Sequence, residues 1–347
     1  MENNREFKIR NIIGQSSSDK GLVDLSGRKI SYMRVSVTDR CNLRCFYCRP
    51  GGIFRALPHQ DILTYEELYR IIEIGVELGL KKIRITGGEP LIRRGITNFL
   101  SRLNRIKGIE DISITTNGIF LKQHLEKISR AGITRINISL DTLRRNRFKR
   151  ITGTDGFENV WEAIQMAERF QFNPIKLNMV VAKGVNDDEV TDMAELSKIY
   201  PFHIRFIEYM PIGINNKLVE DYHVPIHEIK ERLSRIGSLE PVPSGALDGP
   251  ARRFRFDGGK GEIGFISAIS DHFCQKCNRL RLTAEGVLKP CLLSTLKEDI
   301  RGPLRQGVSD NELKSIFINA VSKKPSRHCI GSHPDKCLPG QMSMIGG

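Results

Sequence analysis

Short runs rich in β-branched and apolar residues recur along the chain, each followed by a longer stretch with apolar residues three and four positions apart. The runs Tyr32–Thr38, Lys82–Thr86, Asp111–Thr116, Arg135–Leu140, Ile175–Val181 and His203–Tyr209 predict six strands. Between and after them, the spacing predicts helices near Ile96–Ile106, Leu121–Ala131, Phe157–Phe172, Asp187–Ile199 and Ile226–Ile236. Thr64-Tyr-Glu-Glu67 is a capping-box pattern, opening one more helix that runs to about Leu78, before Gly79. Strands alternating with helices imply right-handed crossovers and a parallel sheet. Six such units are two short of a closed eight-stranded barrel, so the expected fold is α/β, an incomplete (βα)6 TIM-type barrel.

After Pro241 the period changes. Pro241–Pro250 reads as a loop, followed by strand-like runs at Arg252–Phe256 and Glu262–Ile266. The expected organisation is a leader over residues 1–24, the partial barrel over 25–242 and a C-terminal α+β region over 243–347. Unusual residues gather at strand C-termini, the rim where β/α barrels carry their active sites: Cys41–Cys48, Thr86-Gly-Gly-Glu-Pro90, Thr115-Thr-Asn-Gly118, Ser139-Leu-Asp141 and Met210-Pro211.

The most specific of these is Cys41-Asn-Leu-Arg-Cys45-Phe-Tyr-Cys48. Thiolates suit iron–sulfur clusters, and three ligands for a cubane that normally takes four leave one iron open for chemistry. A zinc knuckle or idle thiols are the plainer alternatives. With its aromatic residue before the last cysteine, this loop resembles the signature of the radical S-adenosylmethionine family. The resemblance implies that Cys41, Cys45 and Cys48 hold a 4Fe-4S cluster whose open iron chelates S-adenosylmethionine, which is cleaved to a 5′-deoxyadenosyl radical. Gly87-Gly88 lets the backbone approach a ligand closely, and the family assigns Gly-Gly-Glu-Pro to the cofactor's amino group.

A second triad, Cys274, Cys277 and Cys291, again offers three ligands. Its spacing alone also allows a zinc site completed by His272 or His328. Arg279 and Arg281 lie two apart in a probable strand and share one face, and guanidinium forks pair bidentately with phosphate. The segments Arg34–Cys41, Arg84–Pro90, Thr115–Gly118, Ile138–Asp141, Arg205–Met210 and Cys274–Arg281, with the terminal Gly346-Gly347, resemble the GTP 3′,8-cyclase family over nearly the whole chain. That resemblance implies a second 4Fe-4S cluster on Cys274, Cys277 and Cys291. It implies S-adenosylmethionine contacts at Tyr47, Gly88, Ser139 and Met210. GTP contacts fall at Arg34, Arg84, Thr115, Lys176, Arg279, Leu280 and Arg281, and Gly346 and Gly347 enter the active site. The implied reaction abstracts hydrogen from ribose C3′ and joins that carbon to purine C8. It begins molybdenum-cofactor biosynthesis, needs a low-potential electron donor, and is functionally coupled to cyclic pyranopterin monophosphate synthase.

The 54 Lys and Arg against 40 Asp and Glu leave a net charge of +14, which fits an anionic partner such as a nucleotide; nucleic acid is not expected. No apolar run is long enough to span a membrane, and the first 20 residues mix acids and bases without an apolar core. Eight cysteines then point to a reducing cytoplasm and to metal or reactive thiols rather than disulfides. The expected state is a monomer or homodimer. Arg49 stands where the family often has Met, and Cys329 and Cys337, with His328 and His333, match no functional motif. Two rivals remain: a radical enzyme of peptide maturation, and a zinc protein binding nucleic acid.

Overall fold

The computed structural model describes residues 21–49, 56–210, 212, 221–243, 245, 248–328 and 342. Six parallel strands lie side by side in chain order: β1 (Tyr32–Ser36), β2 (Lys82–Thr86), β3 (Asp111–Thr116), β4 (Arg135–Ser139), β5 (Ile175–Val181) and β6 (His203–Glu208). They are joined through α1 (Tyr65–Glu77), α2 (Ile96–Leu103), α3 (Leu121–Arg130), α4 (Arg145–Thr152), α5 (Phe157–Arg169) and α6 (Val190–Ile199), and α7 (Ile226–Ser234) follows β6. Thr64 caps α1 as its sequence predicts: its hydroxyl accepts from Glu67 N at 3.2 Å, and its own N–H donates to Glu67 Oε2 at 2.7 Å. The helix then buries Leu68, Ile71, Ile72 and Ile74. Each fully buried aliphatic side chain contributes about 1.5–3 kcal/mol.

Strand alternation sorts the residues. One face carries Met33, Val35, Ile83, Ile85, Ile114, Ile136, Ile138, Leu177, Met179, Ile204 and Phe206, all sealed in the core shared with the helices. The other carries Tyr32, Arg34, Lys82, Arg84, Ser113, Asn137, Lys176 and Arg205. This inner face is polar, the reverse of a barrel interior filled with branched aliphatics.

Beyond Pro241 the chain returns to this same sheet. β9 (Glu262–Ile266) pairs parallel with β6, and β10 (Arg279–Leu282) pairs parallel with β1, so both edges of the six strands are extended. β7 (Leu239–Pro241) and β8 (Arg252–Phe256) continue outward from β9. On the other side, β11 (Val287–Lys289) and β12 (Glu298–Asp299) continue from β10, all antiparallel. α8 (Arg301–Arg305) and α9 (Asp310–Ser322) follow, and α9 packs on α1. One cavity of ≈ 260 Å³ touches every strand from β10 through β6 to β9. Eight strands laid flat would spread over roughly 34 Å at about 4.8 Å each. A cavity that size reaches all of them because the sheet curls around it.

Candidate active site

The cavity sits at the C-terminal ends of the parallel strands, and both cysteine triads line it. All six cysteines are free thiols. Among the described residues, no three His, Cys, Asp or Glu side chains converge on a point that one metal ion could occupy. Three spaced thiols, with no fourth ligand among the described residues, fit a polynuclear cluster with one open position.

The first triad hangs between three supports. Arg44 and Phe46 donate their N–H groups to the carbonyls of Thr152 and Ile151 at 2.8 and 3.2 Å, so the last turn of α4 holds the middle of the loop. Asn117 Nδ2 lies 3.6 Å from Cys41 Sγ and 2.9 Å from Asn42 Oδ1. Gly88 and Glu89 donate to the carbonyls of Thr38 and Arg40 at 2.7 and 2.8 Å. A Cβ on Gly88 would stand 2.2 Å from the Arg40 oxygen. The close approach expected of Gly87-Gly88 is therefore toward the cysteine loop's own backbone. Glu89 is fully buried; its carboxylate accepts from Leu91 N, Thr116 Oγ1 and Asn117 N at 3.0, 2.8 and 2.6 Å. Burial outweighs these bonds and raises its pKa to about 7. Arg49 donates to the Asp39 carbonyl at 3.0 Å and is buried there.

Tyr47, Gly88, Ser139 and Met210 all line the cavity beside this loop. The Tyr47 hydroxyl donates to Asp141 Oδ2 at 2.6 Å, and Asp141 Oδ1 accepts from Val180 N at 2.9 Å. Burial, then Asp141, holds the phenol well above its ordinary pKa, so it stays a donor.

Opposite stands a wall of cations. Strand register sets Arg281, Arg34 and Arg84 abreast on β10, β1 and β2, with Arg279, Tyr32 and Lys82 in the row beneath. Arg34, Arg84, Arg205, Arg279, Arg281 and Thr115 line the cavity, and among the described residues the buried Thr115 hydroxyl has no hydrogen-bond partner. Lys82 is neutralised by Asp111 at 2.6 Å. Burial, then Arg205 and Arg84, brings the Lys176 ammonium down to about 6, and burial, then Arg84, brings Arg205 down to about 9. Crowded, desolvated cations of this kind form a site for a polyanion.

Two expected substrate residues stand apart from the cavity surface. Lys176 is buried one step below Asn178, which does line it. Leu280 alternates to the opposite face of β10 and is buried in the core, between Arg279 and Arg281, which do line the cavity. Gly346, Gly347, Cys329, Cys337 and His333 lie outside the described residues. Met342 does line the cavity, packed with Met210 and Cys291.

The second triad follows β8 and β9. Burial alone would raise the Cys277 thiol, but Arg279 and Lys324 beside it bring it down to about 6. His272 Nδ1 and His328 Nε2 both face the Ala268 carbonyl, at 3.2 and 2.9 Å, with their rings edge to face.

Tyr32, Glu89, Asp141 and Arg205 carry no individual role in the sequence reading. Arg205 has a readable signal, a lone arginine between Ile204 and Phe206 in a strand. Glu89 and Asp141 stand inside the rim motifs, but nothing local shows that their carboxylates serve backbone amides.

Residues 35–197 match the family described as the Radical SAM superfamily, and 202–330 match Molybdenum Cofactor Synthesis C. The chain is 47% identical over 324 residues to the GTP 3′,8-cyclase of Moorella thermoacetica, covering 93% of this chain and 99% of that one. It is 47% identical over 327 residues to that of Heliobacterium modesticaldum, covering 94% and 100%. Among solved structures, Streptococcus suis SuiB bound to S-adenosylmethionine has a TM-score of 0.57 at 15% identity, covering 87% of this chain and 77% of that one. Native anSMEcpe with bound AdoMet has 0.53 at 13%, covering 85% and 81%. These two likenesses concern the fold alone.

Proposed function

Because the chain belongs to the GTP 3′,8-cyclase family of radical S-adenosylmethionine proteins, we infer that it cyclises GTP to (8S)-3′,8-cyclo-7,8-dihydroguanosine 5′-triphosphate. This is a lyase-class reaction and the first step of molybdenum-cofactor biosynthesis. The observation that carries the reading is the cavity itself. Two cysteine triads and a wall of buried cations face one space.

When bound, the 4Fe-4S cluster and S-adenosylmethionine supply the radical that removes the ribose hydrogen. Every other task falls to the chain. Cys41, Cys45 and Cys48 would hold that cluster, and Tyr47, Gly88, Ser139 and Met210 surround the space for S-adenosylmethionine. Arg34, Arg84, Arg279 and Arg281 bind triphosphate, with Lys176 beneath them. A polyanion relieves their mutual repulsion, so a triphosphate is favoured over a nucleoside. Ribose C3′ and purine C8 belong to one GTP, so ring closure is already intramolecular, and the site's task is to hold the two in the conformer that brings them together. The curled sheet keeps bulk water from the site.

Cys274, Cys277 and Cys291 would hold a second 4Fe-4S cluster, whose iron without a cysteine would bind the guanine. Met342 lines the cavity, and the five residues that follow it in the sequence would span up to about 18 Å if fully extended. That is reach enough for Gly346 and Gly347 to enter it. On this reading the units are 25–242 and 243–347, each carrying one triad. A low-potential carrier supplies electrons, and the product passes to cyclic pyranopterin monophosphate synthase. Among the described residues no helix is long and apolar enough to cross a membrane, and thiol-borne clusters suit a reducing cytoplasm.

The test is anaerobic. Reconstituted protein receives S-adenosylmethionine and reductant, and 5′-deoxyadenosine is quantified with and without GTP. GTP-dependent formation with a GTP-derived product of unchanged mass is expected. Formation indifferent to GTP would remove the substrate assignment.

A further inference from the structure

Two buried cations outside the substrate wall are tied to the backbone that carries the second triad. Arg28, in the hairpin of Leu22–Val23 with Lys29–Ile30, donates to the Cys274 carbonyl at 2.6 Å and to those of Pro325 and Ser326 at 2.7 and 3.3 Å. Asp24 balances its charge at 2.6 Å. Lys324, just past α9, donates to the Arg279 carbonyl at 2.7 Å and the Pro290 carbonyl at 2.5 Å. Cys274 is thus held at its own carbonyl, Cys277 two residues away and Cys291 one residue away. Segments from opposite ends of the chain meet to do this.

Lys324 differs from Arg28 in one respect. It is buried, and no carboxylate forms a salt bridge with it among the described residues. Burial is the largest influence on it and lowers its pKa, and the groups that act the other way are the Cys277 and Cys291 sulfurs. A buried charge without a counter-charge is strongly disfavoured, so the ammonium is matched to something anionic on those sulfurs. The first triad stands in a different field. Two buried acids stand beside it: Glu89 accepts from the N–H of Asn117, whose side chain lies 3.6 Å from Cys41 Sγ, and Asp141 accepts from Tyr47, next to Cys48; Arg49 is the cation on that side.

We propose that Lys324, braced by Arg28, positions the three sulfurs of a second iron–sulfur cluster and sets its reduction potential above that of the first. This rests on the reading that Cys274, Cys277 and Cys291 hold a cluster. A full positive charge in a water-poor site stabilises the more negative, reduced state, and hydrogen bonding, charge and burial around a cluster tune its potential. The two clusters then divide the work: the low-potential one faces the carboxylates, and the higher one faces the ammonium.

The experiment uses the reconstituted full chain, with iron and labile sulfide counted and an EPR-monitored redox titration. Cys277→Ser identifies the second cluster as the signal it removes. Lys324→Gln keeps a donor for the two carbonyls and removes the charge. The expected result is full iron, a downward shift of that midpoint alone, and recovery in Lys324→Arg. Lys324→Met, lacking donor and charge, should add partial loss of iron. An unmoved midpoint in an iron-replete Lys324→Gln protein overturns the proposal, as does an equal shift of both midpoints. If Cys277→Ser costs no iron, the second-cluster reading fails and the proposal falls with it. If Lys324→Gln does not fold, an unchanged second midpoint in Lys324→Met overturns it equally.

Discussion

Replacing Lys176 by Met should stabilise the empty protein while weakening its hold on GTP. Lys176 is buried and, among the described residues, no carboxylate is paired with it; its neighbours Arg205, Arg84 and Lys82 repel it. Its pKa falls from 10.5 to about 6, with burial the first cause. The unfolded chain therefore binds a proton between about pH 6 and 10.5 that the folded chain does not. Stability must then rise with pH through that window. At 1.36 kcal/mol per unit, the penalty at pH 7.5 is up to ~4 kcal/mol, and effective dielectrics near 20 reduce it to about 1–2 kcal/mol. Methionine fills similar space without the charge. Anaerobic urea unfolding should show Lys176→Met more stable by that amount at pH 7.5, with the gap closing toward pH 9.5. Triphosphate would draw the proton back onto Lys176. GTP binding at pH 7.5 should therefore take up protons, read by calorimetry in two buffers of different ionisation heat, and this uptake should shrink in the variant. A less stable variant at pH 7.5, or wild-type binding without proton uptake, would refute the crowding argument.

Gly88→Ala sets a Cβ 2.2 Å from the Arg40 oxygen, a backbone atom that cannot swing aside. Displacing the cysteine loop should cost at least the upper end of the about 1–3 kcal/mol typical of overpacking, and iron content after reconstitution should fall at the first triad. Tyr47→Phe removes the 2.6 Å bond to Asp141 and leaves a buried carboxylate short of a donor. S-adenosylmethionine affinity should weaken by about 1.5–3 kcal/mol, visible in equilibrium binding, with iron content unchanged. Deleting Gly346-Gly347 should abolish cyclisation with both clusters retained; undiminished GTP turnover would exclude a role for the tail.

The six strands were legible because each alternates a sealed apolar face with a polar one, and that alternation is local. Strand bounds at Lys82–Thr86, Asp111–Thr116 and Ile175–Val181 agree to the residue. α4 escaped notice: Arg145–Thr152 is largely charged and buries only Phe148, Ile151 and Thr152. Yet its last turn holds the cysteine loop. The helix expected at Asp187–Ile199 opens with a 3₁₀ turn over Asp187–Glu189, where three consecutive acids favour the positive end of the helix dipole. No clear barrel unit was readable beyond Pro241, and β9 and β10 nonetheless extend the parallel sheet. Strands this short carry no mark of their partners, since pairing is decided by distant surfaces: Glu262 of β9 meets His203, and Arg279 of β10 meets Tyr32 near the other end of the sheet's sequence.

The sequence by itself determined the donors: three thiols in eight residues, three more near Arg279 and Arg281, and a diglycine turn, because ligand chemistry resides in side-chain identity and spacing. Only tertiary structure decided that both triads open on one cavity, and that Gly88 packs against the Arg40 carbonyl where it lines that cavity. It alone turned Leu280 away from the site and left Lys176 beneath the cavity surface. The physical reason is range. Periodicity and spacing act within one element. The burial of a charge, its pKa and its counter-charge are set by strands that the chain brings together only on folding.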